Sequence, residues 1–138
     1  MAGTLRLEIV TPESRAYSDD VELVLLPAIE GEMGIYPQHI PLITQLKPGE
    51  LVVTKGGKQI ALAVGEGFVE VTGTKVSVLV DMALSEEEID ETAAEQAIKR
   101  AEARLKEQNV GDEEAALVQA AIARSMAQLH VKRRRRSI

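Results

Sequence analysis

The chain has 138 residues and is 45% hydrophobic, yet it holds one Phe, two Tyr, no Trp and no Cys. Its core is therefore filled by Val, Leu, Ile and Ala, which excludes base-stacking nucleic-acid platforms and ring-lined sugar sites, while the lack of thiols excludes disulfides, thiolate metal sites and Cys nucleophiles. The net charge of −6 is unevenly placed: residues 1–84 carry eleven acids against six Lys or Arg, and the remaining acids all lie between Glu86 and Glu114. Arg124 and then Lys132, Arg133, Arg134, Arg135 and Arg136 follow without an acid, a positive arm on an acidic protein. No apolar run approaches the roughly 18 residues needed to cross a bilayer, and no basic-then-apolar leader precedes the first apolar segment, so a soluble chain without a signal peptide is expected.

In the first half the apolar residues alternate or form short runs broken at Pro and Gly. Leu5, Leu7 and Ile9 alternate with Arg6, Glu8 and Val10, and Val21-Glu22-Leu23-Val24-Leu25-Leu26 reads as one largely buried strand. The stretch Glu30-Gly31-Glu32-Met33-Gly34-Ile35-Tyr36-Pro37-Gln38-His39-Ile40-Pro41-Leu42 reads as a shaped contact loop. Its two glycines permit positive φ, while Pro37 and Pro41 fix φ and withhold two backbone donors. A purely structural double turn is the alternative. Leu51-Val52-Val53-Thr54 then turns at Lys55-Gly56-Gly57-Lys58 and returns through residues 59–64, and Phe68-Val69-Glu70-Val71-Thr72 turns at Gly73-Thr74-Lys75 into Val76-Ser77-Val78-Leu79-Val80. Short strands at this spacing predict a sandwich or small barrel.

At Ser85 the period changes to that of a helix. Ser85 and Glu88 form a capping-box pattern, and Glu86, Glu87 and Glu88 suit the positive end of a helix dipole. Ile89, Ala93, Ala97, Ala101 and Leu105 recur every four residues, widened by Ala94 and Ile98, with Glu95–Lys99 and Glu102–Lys106 as i,i+4 pairs. Asn109-Val110-Gly111-Asp112 ends that helix, with Asp112 as N-cap of a second, whose stripe is Val118, Ile122, Met126 and Leu129 beside Ala116, Ala120, Ala123 and Ala127. Two Ala-rich helices bury too little apolar surface to offset their ordering entropy alone, so the hairpin must dock on something. A weakly docked hairpin is a switch and a firmly docked one is structure; both stay open. The terminal basic run reads equally as a partner-binding arm or as a solvated tail.

Ile9-Val10-Thr11-Pro12-Glu13, Leu25-Leu26-Pro27, residues 30–42, Lys47-Pro48-Gly49, Ala63-Val64-Gly65-Glu66-Gly67-Phe68-Val69-Glu70-Val71 and Val76-Ser77-Val78-Leu79, followed by a helical hairpin, together resemble the epsilon subunit of F-type ATP synthases. The resemblance implies a ten-stranded β-sandwich in residues 1–84 and a helix-turn-helix in residues 85–138. It implies a non-catalytic rotor subunit of the central stalk, coupling gamma-subunit rotation to the c ring during ion-driven ATP synthesis. The subunit would be peripheral on the cytoplasmic side of a bacterial inner membrane, held there indirectly through the complex. The family's Gly-Glu-x-Gly pattern maps Gly31, Glu32 and Met33 onto the c ring. Its Pro-x-His-x-Pro-Leu turn maps His39, Pro41 and Leu42 onto gamma, with Gln38 standing where relatives commonly have Gly.

The hairpin in this family brakes ATP hydrolysis by extending along gamma into the alpha and beta subunits. That reading makes Arg124 and residues 132–136 an inhibitory arm of the right sign. Some members bind regulatory ATP through an Ile/Leu-Asp-x-x-Arg-Ala signature. This chain has Ile89-Asp90-Glu91-Thr92-Ala93-Ala94, in which Ala93 replaces the Arg, so ATP binding is expected to be absent or weak even with Arg100 and Arg124 available. No cofactor or metal is expected.

An enzyme reading has little support. His39 and His130 are the two imidazoles, and Gly65-Glu66-Gly67 lies between strands and opens no helix that could cradle a phosphate. A free-standing β-sandwich binding module, with its basic arm for acidic proteins or nucleic acid, is the alternative to the rotor.

Overall fold

The structure is a computed structural model describing residues 3–136. Alternation builds the first strand: β1 (Leu5–Val10) buries Leu5, Leu7 and Ile9 and pairs antiparallel with β2 (Arg15–Val21). The expected continuous strand through Val21 to Leu26 is broken at Glu22, so that β2 ends at Val21 and β3 (Leu23–Ala28) begins afresh. Glu22 holds the break from both ends. Its N–H donates to Thr54 O at 2.8 Å, and its carboxylate accepts from the Gly56 N–H.

The glycine-rich stretch also differs from a continuous loop. Its first half is a strand, β4 (Gly31–Ile35), hairpinned onto β3 across Ile29 and Glu30. Gly31 has φ +133°, which a side chain rarely adopts. Gly34 sits in the extended strand, where an added Cβ would come within 3.2 Å of Leu25 Cδ2.

Six further strands follow: β5 (Leu42–Leu46), β6 (Gly49–Lys55), β7 (Lys58–Val64), β8 (Gly67–Val71), β9 (Lys75–Val80) and β10 (Ala83–Ser85). The β6–β7 turn has Gly56 at φ +57° and Gly57 at +77°, the left-handed pair a two-residue hairpin needs. The ten strands form a sandwich. One layer runs β10-β7-β6-β3-β4 and the other β5-β8-β9-β1-β2, joined where Ala28 of β3 pairs with Leu46 of β5. Leu7, Ile9, Leu26, Leu51, Val53, Val64, Val69 and Val78 are fully buried between the layers. Gly67 marks a close backbone approach of β8 to β9 within the second layer, since a Cβ there would meet Leu79 O at 1.8 Å.

The helical part departs from its predicted start. Ser85 and Glu88 do interact, the Glu88 carboxylate accepting from the Ser85 N–H at 3.0 Å and hydroxyl at 2.9 Å, but they close a single 3-10 turn, Glu86–Glu88. Ile89 then runs extended into the protein, 4% exposed, and the long helix α1 (Glu91–Leu105) starts after Asp90, whose carboxylate caps the Ala93 N–H at 3.0 Å. The helix thus begins five residues later than a Ser85 cap suggests, and Ile89 falls outside it. Ala94 is buried and Ala97, Ile98, Ala101 and Leu105 half-buried, while Ala93 is exposed.

Asn109, in the left-handed region at φ +68°, turns the chain into α2 (Asp112–Arg136). Asp112 is the first residue of that helix, and Ala115 N–H donates to Gly111 O, so the glycine takes the cap position predicted for Asp112. Arg104 ties the two helices together through a fork onto Glu114, its Nε and Nη2 at 2.7 and 2.8 Å.

Candidate functional site

Alternation gives every strand two faces, and the outer faces of the two layers have different fates. On β6 and β7 the outward residues Val52, Ala61 and Ala63 are buried, as are Ile89 and Val131, with Leu25, Met82 and Leu84 packed beside them. The cover is α2. Its docked side is Ser125, Ala127, Gln128 and Val131, and only part of this was legible as an apolar stripe; Met126, assigned to the stripe, is 57% exposed. The alanines on β7 let the helix come close to the sheet. Gln128 donates to Met82 Sδ at 3.1 Å, and Arg124 reaches Asp81 at 3.6 Å.

On the opposite layer none of the described residues covers the outward face. Ile43 on β5, Phe68 on β8 and Leu79 on β9 are 69%, 55% and 55% exposed, with Phe68 and Leu79 directly opposite in register and Ile43 diagonal to Phe68. Tyr36 and Ile40 extend the exposure into the loop beside Ile43. Contiguous large apolar side chains of this kind mark an interaction surface.

That loop has a defined path. Gln38 N–H donates to Gly73 O in the β8–β9 turn, His39 N–H to Tyr36 O, and His39 Nδ1 lies 2.8 Å from Ile40 O, where the Nδ1–H tautomer donates. Gln38 is held at φ +66°, the left-handed conformation for which glycine is the usual occupant. The substitution noted in the sequence thus sits at a strained position. Leu42 packs on the core and Pro41 is exposed. Gly31, Glu32 and Met33 lie at the other end of β5, because the β3–β4 turn sits by the Ala28–Leu46 pair while His39 sits before Leu42. What reads in sequence as one contact loop is two sites separated by a strand. Glu32 is exposed and Met33 packs on the core.

The basic arm is part of α2, so the solvated-tail reading does not hold for its described residues. Lys132 Nζ donates to Glu86 O at 3.0 Å; Arg133 spans Glu91 at 3.1 Å and Glu95 at 2.6 Å; Arg134 pairs with Glu50. The Glu91 and then the Glu95 carboxylate raise the Arg133 pKa above its ordinary value. Glu95 was expected to pair with Lys99 and is spent on Arg133 instead. The side chains of Arg135 and Arg136 lie outside the described part of the structure. Of the nucleotide candidates, Asp90 is committed as a helix cap, Ile89 is buried under α2's packing cluster, and Arg124 turns to Asp81. Arg100 is exposed on α1. Among the described residues no helix is long and apolar enough to cross a membrane.

Comparisons agree with this architecture part by part. Residues 4–86 match the beta-sandwich domain of the ATP synthase delta/epsilon chain, and residues 87–133 match that family's long alpha-helix domain. The ATP synthase epsilon chain of Dehalococcoides mccartyi is 44% identical over 132 residues, covering 96% of this chain and 94% of its own. That of Herpetosiphon aurantiacus is 41% identical over 133 residues, 96% of this chain and 97% of its own. A solved structure of the Euglena gracilis mitochondrial ATP synthase, with its c-ring, contains a chain that superposes with a TM-score of 0.75 at 25% identity, over 92% of this chain and 79% of that one. A chain from the central stalk and c-ring of the Tetrahymena thermophila enzyme shares the fold at a TM-score of 0.64 and 12% identity. The chain belongs to the delta/epsilon family of ATP synthase subunits, and the full-length relatives it matches are epsilon chains.

Proposed function

We propose that the chain is a non-catalytic rotor subunit of a bacterial ATP synthase central stalk. The uncovered apolar face would rest on the gamma subunit, and the β3–β4 turn on the c ring. The observation that carries this reading is the asymmetry of the sandwich: one outer face is closed by the chain's own helix, and the other presents Ile43, Phe68 and Leu79 to a partner. His39, Pro41 and Leu42 border that face, which suits a gamma contact. Glu32, exposed at the far end between Gly31 and the core-packed Met33, is placed to meet polar loops of the ring. A single subunit touching both would transmit rotation from ring to gamma, and association with the membrane would be indirect.

The hairpin is the second half of the proposal. Docked, it leaves gamma accessible; extended, it would carry Arg124 and residues 132–136 to acidic surfaces of the alpha and beta subunits and stop hydrolytic rotation. Attraction between such clusters fades beyond about 8 Å at physiological salt, so the arm would hold only at contact. Regulatory ATP binding is disfavoured by Ala93 and by the commitment of Asp90 to its cap.

Titrating a cognate alpha-beta-gamma complex with the full chain and with residues 1–84 tests this by ATP hydrolysis. Inhibition by the full chain, with binding but no inhibition by the fragment, is expected. Failure of the full chain to bind would overturn the rotor assignment and restore a free-standing binding module.

A further inference from the structure

We propose that Glu50 is a release spring beneath the docked helix: its buried charge is tolerated only while Arg134 lies on it, so an acidic partner that captures Arg134 also drives α2 off the sandwich. The inference rests on reading the hairpin as movable, and it names what moves it.

Glu50 points outward from β6, directly across from Ala63, on the face that α2 covers. Its side chain is 9% exposed, whereas that of Arg134 is 51% exposed. Arg134 Nη1 donates to Oε1, and Oε2 is buried with no hydrogen-bond partner among the described residues. The pair is therefore lopsided. If Glu50 is removed, the half-exposed Arg134 still reaches water, and no charge is left both dry and unpaired. If Arg134 is withdrawn, a carboxylate is left dry and unpaired, and breaking a buried pair from that side is the strongly unfavourable direction.

The other ties of the arm lack this property. Asp81, the partner of Arg124, is 45% exposed and rehydrates when released, and Lys132 binds a backbone carbonyl. Arg133 clamps α2 to α1, so it keeps the hairpin closed without holding it to the sheet. Among the described ties of the arm, only at Glu50 does losing the cation create a penalty that moving the helix relieves, because undocking exposes the carboxylate to water. The partner chemistry that works the spring is a cluster of carboxylates able to compete for a guanidinium.

The sequence contains no Cys, so Lys58→Cys on the β6–β7 turn and Gln119→Cys on α2 accept a fluorescent donor and acceptor in the full chain. Energy transfer then reports the docked fraction. Arg134→Gln is expected to raise the undocked-to-docked ratio roughly tenfold or more. Glu50→Gln is expected to change it little, and Arg134→Gln with Glu50→Gln is expected to return close to the Glu50→Gln value. A poly-glutamate peptide should undock the labelled parent and act far less on Glu50→Gln. An Arg134→Gln variant that stays docked, or a double variant no better docked than Arg134→Gln, overturns the inference. Val131→Glu, which puts a charge at the centre of the docked face, separates this from failure of the movable-hairpin reading. Undocking by Val131→Glu without undocking by Arg134→Gln contradicts the spring alone, and no undocking in any variant contradicts both.

Discussion

The two outer faces of the sandwich are built from different strands with the same alternating pattern and differ in the size of what they show. The face of β6 and β7 carries Val52, Ala61 and Ala63, and these small side chains admit a helix. The face of β5, β8 and β9 carries Ile43, Phe68 and Leu79, which the chain leaves in water. Burial of apolar area at about 25 cal/mol per Å² favours covering both, so the uncovered one is where a partner is proposed to sit. In this sandwich small residues stand on the outward strand face that the chain covers itself, and large ones on the face left exposed.

The comparison breaks most readily through size. Ala63→Leu should disturb the docked helix by about 1–3 kcal/mol through overpacking, while Ser77→Leu, outward on β9 two residues before Leu79, should stay within about 0.5 kcal/mol. Fluorescence-detected docking and urea midpoints separate the two. Equal losses on both faces would mean that the second is packed as well.

A smaller effect is expected in the loop that borders the bare face. At φ +66° Gln38 pays for a left-handed backbone, so Gln38→Gly should stabilise by roughly 0.5 kcal/mol and Gln38→Val should destabilise by about 1 kcal/mol or more. Thermal midpoints in the opposite order would show that the loop relaxes.

The smallest effect concerns the join between sandwich and hairpin. The Ser85 N–H, and then its hydroxyl, hold the Glu88 pKa below the ordinary 4.5. A carboxylate with a depressed folded-state pKa adds stability above its unfolded value, and that stability is lost as pH falls through the folded one. Lys75 lowers Glu8 and Lys55 lowers Asp19 in the same direction. Stability should therefore decline as pH drops below about 4.5, and Glu88→Gln should lessen that decline by a few tenths of a kcal/mol. An unchanged acid limb in Glu88→Gln would remove the carboxylate from the account.

How much of this was legible in sequence follows from which forces act locally. Strand alternation in Leu5, Leu7 and Ile9 and the glycine turn at Gly56-Gly57 were readable because period and turn chemistry are properties of neighbouring residues. The strand inside residues 30–42 was not, since Gly31 and Gly34 look alike until β3 pairs with both, leaving Gly31 at φ +133° beside the turn and Gly34 extended opposite Leu25. The start of α1 was misplaced because Ser85 and Glu88 satisfy the capping pattern for a 3-10 turn as well as for a helix, and Asp90 then offers a second cap. The docked side of α2 was read only in part because the helix faces α1 and the sheet at once. Two contact faces blur a single stripe, and Gln128 and Ser125 carry no apolar signal. Pairing of Glu50 with Arg134 spans 84 residues, and nothing local foretells it.

The most direct test of the asymmetry measures binding of the full chain to a cognate alpha-beta-gamma complex after Phe68→Glu with Leu79→Lys. This opposite-charge pair keeps the two strands compatible while making the bare face polar. The account expects an unchanged thermal midpoint and at least tenfold weaker binding, the loss typical of removing an interface anchor. Undiminished binding by the folded variant would contradict it and place the partner surface elsewhere on the sandwich.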